Sequence, residues 1–130
     1  MDYMDEAKRI FHSEEYAVKL SGAVIEHAEP QKAVCSLEID DRHKNSIGVV
    51  MGGAIYTLAD LAFAVASNIG QPLTVTLEGQ MTYLRPVKSG KLTAETFCEK
   101  AGEKTCSYRV DIRDQDGKYI ASAKFIGFRT

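Results

Sequence analysis

Asp60 is the only charged residue between Asn45 and Leu77, although charged residues make up 26% of the chain. A carboxylate set among apolar side chains loses hydration, and its pKa rises unless hydrogen bonds or opposite charges compensate. Such a residue points to an acid, a base or a nucleophile. The alternative is a structural aspartate bonded to backbone or to a partner-chain hydroxyl. Eight residues upstream, Gly52 stands in the run Gly48–Ala54, GVVMGGA. A first helical turn carries unpaired N–H groups and a partial positive charge, so an oxygen that becomes negative could be stabilised there. The paired glycines could instead serve only close packing of a helix on a sheet. The run lacks the Lys-Ser/Thr of a phosphate loop and does not match GxGxxG, which argues against nucleotide binding.

Spacing constrains how the two features act together. Eight residues of helix span about 12 Å, so one carbonyl cannot touch Gly52 and Asp60 of the same chain. Joint action requires the Gly52 N–H of one protomer to face Asp60 of another, as a two-fold axis between antiparallel helices would arrange. The expectation is an obligate homodimer with two equivalent sites, alone or as a dimer of dimers, a homotetramer.

The elements that must hold these residues are read from period and punctuation. Ala7, Ile10 and Phe11 at three-to-four spacing predict a short amphipathic helix over Asp5–His12, within an N-terminal segment 1–13. Alternation predicts strands over Tyr16–Ala28 and Lys32–Ile39, with Pro30 between them, and Asp40–Ser46 reads as a polar loop. Gly53–Asn68 is apolar on nearly every face and is closed by Gly70 and Pro72, which predicts a helix wrapped by other structure. Leu73–Leu84, Lys91–Lys100, Thr105–Arg113 and Tyr119–Phe128 alternate again and are separated by turn-forming runs. One antiparallel sheet around one buried helix is the economical packing, an α+β fold forming a single domain over 1–130.

Bulk composition narrows the partners. The 130 residues are 45% hydrophobic with a net charge of -2, and no basic excess supports a nucleic-acid partner. The N-terminal MDYMDEAKRIF has no apolar run of a secretory signal, and the apolar stretch from Ile47 to Ile69 is too interrupted for a membrane span. Cys35, Cys98 and Cys106 form no CxxC pair, and their odd number suits reduced thiols in the cytoplasm.

The stretch NSIGVVMGGAIYTLADLAFAVASN resembles the phenylacetate-degradation (PaaI-like) branch of the hot-dog-fold thioesterases, whose signature is N-x-x-G-x-x-H-G-G followed by L-x-D. Asn45, Gly48, Gly52, Gly53, Leu58 and Asp60 match it, as do the run Met81–Pro86, MTYLRP, Gly90 and the closing hairpin, so the likeness covers residues 16 to 128. The resemblance implies a hot-dog fold and hydrolysis of an acyl-CoA thioester, with coenzyme A as part of the substrate and no metal or other cofactor. It implies Asp60 as general base or nucleophile, the Gly52 N–H polarising the carbonyl, Asn45 near the leaving sulfur or lytic water, and Thr76 orienting that water. Met51 and Gly53 would meet the substrate, while Tyr56, Phe63, Met81 and Tyr83 could line the acyl pocket or could equally be core. Arg85, Lys88, Lys100 and Lys104 are candidates for the coenzyme A phosphates. Met51 stands where the family carries His, which leaves open a slower thioesterase, another acyl preference, or an acyl-CoA binder that does not hydrolyse. His43 is expected to be a solvated loop residue.

Overall fold

The computed structural model describes residues 2–130. The chain runs α1 (Tyr3–Phe11), a π-helical turn (Glu15–Leu20), β1 (Val24–Glu29), β2 (Lys32–Glu38), a 3-10 turn (Asp41–His43), α2 (Gly52–Asn68), β3 (Thr74–Tyr83), β4 (Lys91–Ala101), β5 (Thr105–Arg113) and β6 (Tyr119–Arg129). The six strands form one antiparallel sheet in the order β1-β2-β4-β5-β6-β3. The sheet curls around α2, which is the hot-dog architecture. No helix among the described residues is long and apolar enough to cross a membrane.

Alternation sets the inner face of the sheet. Leu92, Ala94, Val110, Ile112, Ala121, Ala123 and Phe125 are buried and meet Leu58, Ala62, Phe63, Val65 and Ala66 of α2. Phe63 stacks on Phe125 with ring centroids 5.0 Å apart and takes the edge of Tyr108 at 5.5 Å, so it belongs to the core. A Cβ on Gly127 would lie 2.6 Å from Thr74 Cγ2 and 3.0 Å from Phe63 Cζ, so only glycine lets the sheet and helix approach this closely.

Three expectations need correction. Tyr16–Leu20 is helical rather than strand: Ala17 packs inward, Lys19 pairs with Glu15 at 2.9 Å across one turn, and Gly22 at φ +84° releases the chain into β1. The alternation of Tyr16, Val18 and Leu20 fits a strand on paper, but Tyr16 and Leu20 are exposed. Second, α2 is not covered on all sides. Gly53 and Asp60 lie on an open stripe with the half-buried Thr57 and Ala64, away from the sheet. Third, His43 is buried. Its Nδ1 accepts from the Asp40 N–H at 3.0 Å, so its Nε2–H donates to the Ser21 carbonyl at 2.6 Å, and neither nitrogen is left for chemistry.

β1 and β3 are the edge strands, and the outer edge of each pairs with no strand among the described residues. Along β3, Val75 and Leu77 are exposed apolar residues, and Leu73 just before it is 65% exposed.

Candidate active site

The polar loop before α2 is shaped by Asn45. Its Oδ1 accepts from the N–H groups of Ile47 and Val49, both at 3.1 Å, and its backbone N–H donates to the Val49 carbonyl at 2.8 Å. This closes a turn that Gly48 completes at φ +82°. Asn45 Nδ2 makes no hydrogen bond among the described residues, so its donor faces outward unspent. Met51 then caps α2 without a side-chain bond, its own N–H held by the His43 carbonyl at 2.8 Å. Gly52 and Gly53 open the helix, and their N–H groups have no acceptor in the preceding turn.

Tyr83, at the end of β3, fixes this entry from the other side. Its hydroxyl donates to the Gly52 carbonyl at 2.9 Å, and its ring lies where a Gly52 side chain would stand. Burial pushes the Tyr83 phenol above its ordinary pKa, so it stays a donor at neutral pH. Thr57 Oγ1 donates to the Gly53 carbonyl at 2.8 Å. A cavity of about 370 Å³ beside Gly52 is lined by Tyr83, Arg85 and Val87, and a second of about 270 Å³ lies across the helix tip between Met51, Gly53, Thr57 and Tyr16. Arg85 is therefore the one candidate cation that shares a cavity with Gly52.

Asp60 stands two helical turns away, on the open stripe of α2. Among the described residues its carboxyl has neither a hydrogen-bond partner nor an ion pair, so it is not a structural aspartate bonded within its own chain. It is exposed to water on one side, while the protein crowding its other side disfavours the charged form. That desolvation, followed by the negative charge of Glu14, raises its pKa above the ordinary carboxylate value. Tyr56, a turn earlier, packs its ring edge on Phe125 at 5.5 Å, and burial followed by the Asp60 charge raises its phenol.

The structure thus gathers Asn45, Met51, Gly52, Gly53, Tyr83 and Arg85 around the start of α2. Thr76 lies exposed on β3 at a bulge, opposite Gly127. Met81 is half-buried further along that strand. Lys100 and Lys104 flank the β4–β5 hairpin, where the Lys104 carbonyl accepts from the Arg129 N–H at 2.8 Å. Arg129 pairs with Thr74, so this hairpin lies at the end of the sheet remote from Tyr83 and Gly52. Glu14 was missed by sequence reasoning. It sits in a polar N-terminal run, and only the folded chain brings it to Asp60.

A curved antiparallel sheet wrapped around one long helix is the architecture shared with the hot-dog-fold thioesterases. The family model for the thioesterase superfamily matches residues 47–121, more than half of the chain, and the chain belongs to that family. A provisionally named esterase of Archaeoglobus fulgidus is 33% identical over 129 residues, covering 98% of this chain and 79% of its own. Human acyl-coenzyme A thioesterase 13 is 31% identical over 104 residues, covering 75% of this chain and 72% of its own. Among solved structures, a variant of the phenylacetic acid degradation protein PaaI from Thermus thermophilus superposes with a TM-score of 0.82 at 33% identity, covering 87% of this chain and 97% of its own. A hypothetical thioesterase protein from Streptococcus pneumoniae, solved with coenzyme A, superposes with a TM-score of 0.85 at 26% identity, covering 95% and 96% of the two chains.

Proposed function

We propose that the protein is a homodimeric acyl-CoA thioester hydrolase that works in the cytoplasm, with each active site built from two protomers. The observation that carries this reading is the Asp60 carboxyl, unpartnered in its own chain and two turns from a free Gly52 N–H on the same helix. The exposed β3 edge supports a dimer in which two β3 strands pair antiparallel and set the two α2 helices side by side, since an apolar unpaired edge otherwise invites aggregation. Such pairing brings the Gly52 tip of one protomer towards Asp60 of the other.

In the general-base form of the reaction, Asp60 takes a proton from water as the oxygen attacks the thioester carbonyl carbon. The Gly52 N–H donates to the carbonyl oxygen as it becomes negative, in a direction set by Tyr83 and the Met51 cap. Collapse breaks the C–S bond, and the proton held by Asp60 passes to the departing sulfur, giving free acid and coenzyme A. In the nucleophilic form the carboxylate attacks first, the C–S bond breaks and the coenzyme A thiolate leaves to be protonated by solvent, and water then hydrolyses the mixed anhydride to free acid and the restored Asp60 carboxylate. Thr76 would orient the water, and Asn45 Nδ2 would donate near the sulfur. Coenzyme A enters as part of the substrate, with Arg85 placed for its phosphates. Neither form calls for a metal or redox cofactor.

Met51, exposed where the family signature has His, supports a second reading as an acyl-CoA binder that does not cleave its ligand. A panel of acyl-CoAs with a thiol reagent separates the two. Turnover that disappears in Asp60→Ala is the expected result. Tight binding with every ester left intact favours the binder, and full activity in Asp60→Ala defeats the proposed chemistry.

A further inference from the structure

The loop that carries Asn45 and ends on Gly52 is closed at its neck by His43. The His43 carbonyl accepts from the Met51 N–H at 2.8 Å. Just inside, Lys44 and Val50 form an antiparallel bridge, and the Asn45 N–H donates to the Val49 carbonyl at 2.8 Å. Residues 43–51 therefore form a closed loop, with Asn45 on one arm and the residue before Gly52 at the end of the other.

A loop closed on itself can still drift as a body, and the His43 ring is what ties its neck to distant chain. Nε2–H donates to the Ser21 carbonyl at 2.6 Å, 22 residues back in sequence, where the π-helical turn ends. Nδ1 accepts from the Asp40 N–H at 3.0 Å, which fixes the tautomer. Asp40 Oδ1 lies 3.4 Å from the same nitrogen but is engaged by the Arg42 N–H and guanidinium. A second tie, from Arg42 Nη1 to the Leu20 carbonyl at 2.8 Å, comes from a half-exposed side chain. The His43 side chain is only 3% exposed, so water competes little for its bonds.

We propose, resting on the thioesterase reading above, that His43 is a positioning residue: through Met51 it sets the direction of the Gly52 N–H, and through the loop neck it sets where Asn45 stands relative to that N–H. It transfers no proton, since both ring nitrogens are committed. The bond to Ser21 is the part that transmits position, because the Asp40 bond is local to the turn and would survive drift of the whole loop. A misplacement on the order of 1 Å is enough to cost about 100-fold in rate.

Two polar replacements divide the ring between them. His43→Gln keeps an N–H donor for Ser21, whereas His43→Asn keeps an acceptor for Asp40 and gives up Ser21. With the full chain and an acyl-CoA panel, His43→Asn should lower kcat about 10- to 100-fold with KM within about twofold, while His43→Gln stays within about threefold of the unsubstituted protein. In a Gly52→Pro background, which has no N–H left to direct, most of the His43→Asn loss in kcat should vanish. A merely structural histidine would lower Tm without that coupling. Equal kcat in the Asn and Gln variants, or an Asn loss undiminished beside Gly52→Pro, overturns the proposal. Should neither variant fold, NMR spectra of the ring nitrogens in the unsubstituted protein decide: Nε2 protonated with Nδ1 bare sustains the tie, and a ring protonated at Nδ1 or averaging both forms overturns it. Should the unsubstituted protein turn over no ester, the hydrolase reading falls and amide exchange at Met51 decides on the tie. Exchange about tenfold faster in His43→Asn than in His43→Gln sustains it, and equal rates overturn it.

Discussion

Replacing Gly52 by proline deletes the one backbone N–H proposed to meet the carbonyl oxygen, and the local backbone is suited to that change. Gly52 is the first residue of α2, the position where proline is best tolerated because its missing N–H has no helical acceptor. Met51 before it sits at φ -64°, ψ 137°, the extended conformation that a residue preceding proline adopts. The cost is steric: a Cβ at Gly52 comes to 3.0 Å from Cζ and the hydroxyl of Tyr83, which must retreat by a few tenths of an ångström. Tyr83 is 50% exposed and has room to do so. The stability penalty should not exceed the Tyr83–Gly52 hydrogen bond, about 0.5–1.5 kcal/mol, or a fall in Tm of roughly 2–6 °C. The catalytic penalty should be far larger, about 100- to 1000-fold in kcat, the usual loss for one oxyanion donor. Gly52→Ala supplies the control, since it brings the same Cβ against Tyr83 and keeps the N–H. Steady-state hydrolysis followed by thiol release, with Tm measured on the same samples, separates the two effects. Equal kcat for the alanine and proline variants would refute the role assigned to this N–H.

Glu14→Gln removes the like charge beside Asp60, so the acidic limb of the rate–pH profile should move to lower pH, as rate measurements across that limb would record. In linkage terms, a raised Asp60 pKa contributes stability that is present below the unfolded carboxylate pKa and is lost as pH rises through the folded one. Asp60→Asn should accordingly compare better with the unsubstituted protein at neutral than at acid pH in denaturant titrations. Phe63→Ala empties the aromatic stack with Phe125 and Tyr108 and should cost about 3–5 kcal/mol by urea unfolding. Tyr83→Phe loses only the bond to the Gly52 carbonyl, so it should cost about 0.5–1.5 kcal/mol and slow turnover less than Gly52→Pro.

The long elements were legible because each carries one dominant period. Four strands after α2, and α2 itself, fall close to the ranges read from alternation and from the Gly70–Pro72 stop. The segment before β1 was not legible, because Tyr16, Val18 and Leu20 satisfy a two-residue period while the i,i+4 pair of Glu15 and Lys19 fits a helix, and tertiary packing of Ala17 decides between them. Asp60 stood out in sequence as a charge among apolar residues, but composition cannot tell a buried helix face from one left open. His43 looked like a solvated loop residue, since its two backbone partners, Asp40 and Ser21, come together only in the fold. The same holds for Glu14, whose proximity to Asp60 depends on how α1 and the π-helical turn dock.

The shared site is tested most directly by mixing two inactive proteins. Asp60→Asn and Gly52→Pro chains, combined in equal amounts and allowed to exchange subunits, form mixed dimers in half of the pairings, and each mixed dimer regains one intact site of its two. Recovery of about a quarter of the unsubstituted activity is the predicted result. A mixture that stays as inactive as its two components, although native mass spectrometry shows that mixed dimers have formed, would contradict a site built across two chains.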